Sequence, residues 1–89
     1  MMETLLTYDI SSRHVEFKTA MLNMGYRDRL ILSNGTMYFP NTTWYHPTKL
    51  VATIIEDCKS VCNNLSIRLI RCVATQWEPN WEGILGESF

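Results

Sequence analysis

Hydrophobic and polar positions alternate from Thr4 to Ile10 (TLLTYDI), with Leu6, Tyr8 and Ile10 on one face and Leu5, Thr7 and Asp9 on the other. A period of two, rich in Thr, Tyr and Ile, predicts a half-buried strand. Ser11 and Ser12 then offer a helix N-cap. From Arg13 the period lengthens. Phe17, Ala20, Met21 and Met24 recur at i, i+3, i+4 and i+7, the stripe of an amphipathic helix, and Gly25 stands where a left-handed residue ends one.

Between Arg27 and Tyr45 two parses compete. In one, Leu30-Ile31-Leu32 and Met37-Tyr38-Phe39 form a hairpin around Ser33-Asn34-Gly35-Thr36, since Asn-Gly between apolar runs favours a tight turn. In the other, Arg29–Phe39 is one interrupted strand, Pro40-Asn41 the turn, and Thr42–Tyr45 the next strand. Either way the segment gives two antiparallel strands. Pro47 suits the first position of a second helix, whose stripe runs through Val51, Ile54, Ile55, Cys58, Val61, Cys62 and Leu65 and closes at Asn63-Asn64. Ser66–Thr75 (SIRLIRCVAT) reads as a last strand that is apolar on both faces, with Ile67, Leu69 and Val73 on one and Ile70, Cys72 and Ala74 on the other.

The order β-α-β-β-α-β predicts an α+β, ferredoxin-like fold: a four-stranded antiparallel sheet with two helices on one face. The domain spans 1–77. The tail, 78–89, follows the aromatic Trp77 with Trp81, Ile84, Leu85 and Phe89, broken by Pro79, Gly83 and Gly86, and is expected to pack on a sheet edge or a neighbouring subunit. One helical layer covers one face of a sheet, so a last strand apolar on both faces calls for a partner. The 46% of residues that are hydrophobic exceed what a chain of 89 residues can bury alone. A homodimer is the expected state.

Charge narrows the function. A net charge of −1 lacks the basic excess of a general nucleic-acid binder, which leaves only a local basic stripe for that role. No apolar run reaches the roughly 20 residues of a membrane span, and Met1–Ile10 lacks the basic start and cleavage site of a signal peptide, so a cytoplasmic protein is expected. Cys58, Cys62 and Cys72 are odd in number. Cys58 and Cys62 have a zinc-like spacing without a second pair, and buried core thiols are the favoured reading.

Asp9 is the residue through which chemistry is expected. At the end of the first strand, on the face opposite Leu6 and Tyr8, it can meet its own copy across a two-fold axis, and two carboxylates so placed can hold Mg²⁺ or Mn²⁺ for attack on a phosphodiester. Its plainer role is that of a solvated strand-end residue beside a turn. His14, on the first turn of the helix, is a candidate proton donor or an ordinary exposed histidine. His46, just before Pro47, is expected to shape the approach to the second helix. Arg27, Arg29, Arg68 and Arg71 are placed on two strands read as neighbours, either as a basic patch for a phosphate backbone or as edge charges paired with Asp28 or Glu78. Thr42-Thr43-Trp44-Tyr45 is read as packing rather than recognition surface.

Tyr8-Asp9-Ile10-Ser11 closing a first strand, Arg13 four residues after the aspartate, and a helix ending at Gly25-Tyr26 resemble the opening of a known family. It is the small CRISPR-associated subunit of the spacer-integration machinery, whose members are ferredoxin-like homodimers; toxin-type ribonucleases share the opening. The resemblance implies that Asp9 is the family's strand-end aspartate, a metal ligand in a nuclease, with Arg13 or His14 aiding the phosphate. Members also act as purely structural partners of an integrase. Two functions are therefore expected: a metal-dependent endonuclease on RNA or DNA, or a non-catalytic dimeric adaptor that binds a protein or nucleic acid through its sheet face and tail.

Overall fold

The computed structural model describes residues 3–78 and 81–87. Its elements are β1 (Thr4–Ile10), α1 (His14–Asn23), β2 (Arg29–Leu32), β3 (Gly35–Tyr38), β4 (Thr43–His46), α2 (Val51–Asn64) and β5 (Leu69–Gln76). The fold is α+β, but the expected four-stranded sheet is replaced by two smaller units. β4, β1 and β5 form an antiparallel three-stranded sheet in that order, and β2 and β3 form a separate hairpin. Where a fourth strand was expected beside β4, a single antiparallel bridge joins Arg27 to Tyr45. The Ser33-Asn34 turn folds β2 back on β3, so the apolar run of the segment leaves the sheet plane and too little chain remains to extend beside β4.

β1 is the central strand. Thr4, Leu6, Tyr8 and Ile10 are buried while Thr7 and Asp9 are exposed, as the alternation predicts. Its inner face meets Phe17 and Met21 of α1 and Ile54, Cys58, Val61 and Cys62 of α2 in the main core. Tyr8 and Phe17 rings lie 4.6 Å apart, and Trp44 of β4 completes the layer. No helix among the described residues is long and apolar enough to cross a membrane.

Both helix starts differ from expectation. Neither Ser11 nor Ser12 caps α1; Arg13 stands at the cap in a left-handed conformation (φ 56°) without a side-chain cap bond. Ser11 instead fastens β1 to the approach of β5: its hydroxyl accepts the Arg68 N–H, and its own N–H donates to the Arg68 carbonyl, both at 3.0 Å. α2 begins at Val51 rather than near Pro47. The His46 Nδ1 accepts the N–H groups of Thr48 and Lys49 (3.2 Å each), which holds the intervening residues in a turn. Gly25 ends α1 at φ 89° as expected, and an added Cβ there would lie 3.4 Å from His46 Nε2.

β5 carries a bulge that changes its faces. Asp9 pairs with Arg71 and Ile10 with Leu69, so Ile70 is the extra residue. Leu69 therefore shares the core side with Cys72 and Ala74, while Val73 is 65% exposed. The uniform alternation expected along Ser66–Thr75 is broken at that point.

The outer face of the sheet is half covered by the chain itself. Tyr45, Met37 and Phe39 form a second core with Leu5, Leu30, Leu32, Trp77, Trp81 and Leu85. Trp77 donates its N–H to the Glu3 carbonyl (2.8 Å), and Leu85 accepts the Tyr38 N–H (2.9 Å). Residues 81–87 thus run beside the hairpin; Pro79 and Phe89 of the expected aromatic tail lie outside the described residues. The apolar outer face that suggested a partner is, at this end, covered from within.

Candidate functional site at the Asp9 end of the sheet

The other end of the outer face stays open, and Asp9 sits on it. The regular register of β1 against β5 sets Arg71 directly across from Asp9, just before the bulge at Ile70, and Arg71 Nε lies 3.0 Å from Asp9 Oδ2. The two side chains are 75% and 51% exposed, so the pair is open to solvent and exchangeable. A shallow depression of about 200 Å³ borders them, lined also by Thr7, Thr42 and Val73. Thr42 holds a left-handed conformation (φ 62°), and its carbonyl accepts the Tyr8 N–H (3.2 Å), which closes β4 onto β1 beside the site.

The remaining predicted residues divide between this end and elsewhere. Arg13 and Arg68 belong to the Asp9 end. The Arg13 guanidinium donates from Nε to Glu16 (2.9 Å) and from Nη1 to the Leu65 carbonyl (2.7 Å), so it closes the C-terminus of α2. Arg68 is fixed through its backbone by Ser11, with an exposed side chain. His14 opens α1 and is exposed. Arg27 and Arg29 lie elsewhere. Arg27 bridges to Tyr45 beyond β4, and Arg29 binds Asp28 (2.8 Å) and stacks 4.9 Å from the Tyr38 ring. β4 and β1 separate that pair from Arg68 and Arg71, so the four arginines form no single patch.

A divalent cation does not suit Asp9 as one copy arranges it. The carboxylate already faces a guanidinium, and a cation would have to displace that charge. What the Asp9 end can do is bind an anion: Arg71 can exchange a solvent-exposed carboxylate for a phosphate, with Arg68 on the same strand approach.

Sequence reading missed a second polar cluster, on the helical side. Tyr26 donates its hydroxyl to Asp57 (2.7 Å), Lys49 Nζ lies 2.6 Å from the same oxygen, and Thr4 donates to the Lys49 carbonyl. Burial and the Asp57 carboxylate push the Tyr26 phenol far up, and burial first, then Lys49, hold the His46 imidazole below its usual range. The cluster ties the end of α1 to the start of α2. Its bonded pairs lie from 3 to 45 residues apart along the chain, so no local spacing announces them.

The cysteines are free, as expected of core thiols. Cys58 and Cys62 are buried and Cys72 half-buried. Burial pushes the Cys58 thiol up to about 12, which makes it unreactive. Comparison with protein-family models, curated proteins and solved structures finds no match for this chain.

Proposed function

We propose that this protein is a dimeric, ferredoxin-like nucleic-acid-binding adaptor that contacts phosphates at the Asp9 end of its sheet, similar to the structural role of the small CRISPR-associated subunit. The observation that carries the reading is the exposed Asp9–Arg71 pair on an uncovered sheet face, with the Arg68 backbone held by Ser11 two residues after Asp9. The fold supports it too. The order β4-β1-β5, with the Arg27 bridge outside β4, is what a β-α-β-β-α-β chain leaves when its second strand folds away into a hairpin. In this role Asp9 orients and partly neutralises Arg71, which moderates a phosphate affinity that a net charge of −1 cannot otherwise supply.

Binding of labelled single- and double-stranded DNA and RNA by fluorescence anisotropy tests the reading. Arg71→Ala should weaken binding and flatten its dependence on salt by roughly one counterion. Asp9→Asn should tighten binding, because it frees Arg71. Absence of binding to every substrate by folded protein would remove the proposal.

The second reading, a metal-dependent endonuclease on RNA or DNA, is favoured by the position of Asp9 at the end of β1 on the open face. It requires Mg²⁺ or Mn²⁺, displacement of Arg71, and a role for His14 that its exposed position permits. Cleavage supported by either metal and lost in Asp9→Asn would establish it in place of the adaptor.

A further inference from the structure

β5 is the longest strand, and its outer edge has no backbone partner among the described residues. Arg27 bridges the outer edge of β4, Leu85 bonds to β3, and the outer edge of β2 is only four residues long. The direction of the free groups on β5 follows from the ladder. Trp77 donates to Glu3, and the register continues through Thr4↔Gln76 to Asp9↔Arg71. The backbone groups of Thr75, Val73 and Arg71 therefore face β1, and those of Gln76, Ala74 and Cys72 face outward.

We infer that this edge pairs with the same edge of a second copy, antiparallel, about a two-fold axis at Ala74. The pairing gives the dimer of the proposed function its interface and rests on that reading for its use. Three observations select a second copy as the occupant. The bulge at Ile70 ends the regular edge, so Cys72 to Gln76 is the usable stretch and Ala74 its centre. Antiparallel pairing there sets Cys72 against Gln76 and Ala74 against its own copy, and satisfies the outward groups with about six hydrogen bonds. No Pro or Lys between Leu69 and Gln76 guards the edge, as a strand meant to stay unpaired would require.

Charge and shape agree with this register. Arg71 lies near the start of β5 and Glu78 just beyond its end, so the two-fold brings Arg71 of each copy beside Trp77 and Glu78 of the other. Along the same edge, exposed Leu50, at the N-cap of α2, and Val51 form an apolar groove of about 500 Å³ with Ala74 and Thr75. The small Ala74 at the axis lets the second strand approach and cover it. A continuous six-stranded sheet results, with all helices on one side. Both Asp9–Arg71 pairs share the other face, about 20 Å apart by strand rise, and so present two phosphate contacts to one nucleic-acid backbone.

The experiment is light scattering on the full chain together with directed cross-linking. Wild type should have the mass of a dimer, and Ala74→Pro, which removes an outward N–H and leaves the ladder to β1 intact, should have the mass of a monomer. In this register Val73 of one copy faces Thr75 of the other in a closely spaced pair suited to a disulfide. An oxidised mixture of V73C and T75C chains should therefore cross-link, while V73C alone should not, with the bridged peptides identified by mass spectrometry. If Ala74→Pro fails to fold, the cross-link decides alone. A monomeric wild type, or a dimer without the Val73–Thr75 cross-link, overturns the inference. A correctly cross-linked dimer that binds no nucleic acid keeps the interface and removes the proposed function.

Discussion

The two ends of the sheet's outer face have opposite fates although they alternate alike in sequence. At one end Leu5 and Tyr45 lie under Trp77, Trp81 and the hairpin; at the other Thr7, Asp9, Arg71 and Val73 face solvent. The same strands supply both. The difference comes from what is brought to each end: seven apolar side chains from hairpin and tail at the first, and an exposed ion pair between β1 and β5 at the second. A face of a small sheet is thus closed by whatever apolar chain can reach it, and the part left open is the part available to a partner.

The contrast can be broken most severely at the covered end. Trp77 packs on Phe39 (5.5 Å), Tyr45 (5.4 Å) and Trp81 (4.5 Å). Trp77→Ala should cost about 3 kcal/mol in urea unfolding, in the range for a large aromatic truncated to alanine. A loss under roughly 0.5 kcal/mol would mean that the second core is not part of the cooperative fold.

Alkaline pH probes the same end. Burial, and then the bond its hydroxyl donates to Glu3 (2.9 Å), push the Tyr45 phenol up to about 12. The folded state thus favours the neutral phenol. Its contribution is complete below pH 10 and lost as pH rises from about 10 to 12, on the order of 2 kcal/mol. Unfolding measured across that window should show a shallower decline in Tyr45→Phe than in wild type. Cys58, also at about 12, contributes equally to both proteins. Identical slopes would mean that Tyr45 is not shielded by the tail.

A smaller effect is expected at Gly83. A Cβ added there would meet Met37 Sδ at 2.7 Å, so Gly83→Ala must move a flexible side chain and should cost about 1 kcal/mol. The smallest belongs to the open end: Asp9→Asn removes a solvent-exposed ion pair and should change stability by less than about 0.5 kcal/mol. A larger loss there would show that the pair braces the bulge rather than waiting for a ligand.

Much of the fold was legible from periodicity. The inward face of β1, the stripes of both helices and the turn near Asn34 follow from local pattern, because a period of 2 or 3.6 decides which side chains share a face. The site was half legible. The exposed place of Asp9 near the end of β1 follows from the alternation. That Arg71 would stand against Asp9 depended on the pairing register of β1 with β5, which no local spacing in SIRLIRCVAT signals. The grouping of the four arginines failed for a topological reason: β2 left the sheet, and β4 and β1 came between.

The sequence by itself determined the two helices, the first and last strands, the α+β class and the exposed carboxylate near the end of β1, since each depends on residues within a turn or two of one another. Only the tertiary structure decided that the sheet has three strands, that the chain covers half its own outer face, and that Asp9 meets Arg71. Those outcomes depend on contacts between segments far apart in the chain, where competing apolar surfaces are compared by the area they bury together and no local spacing records the result.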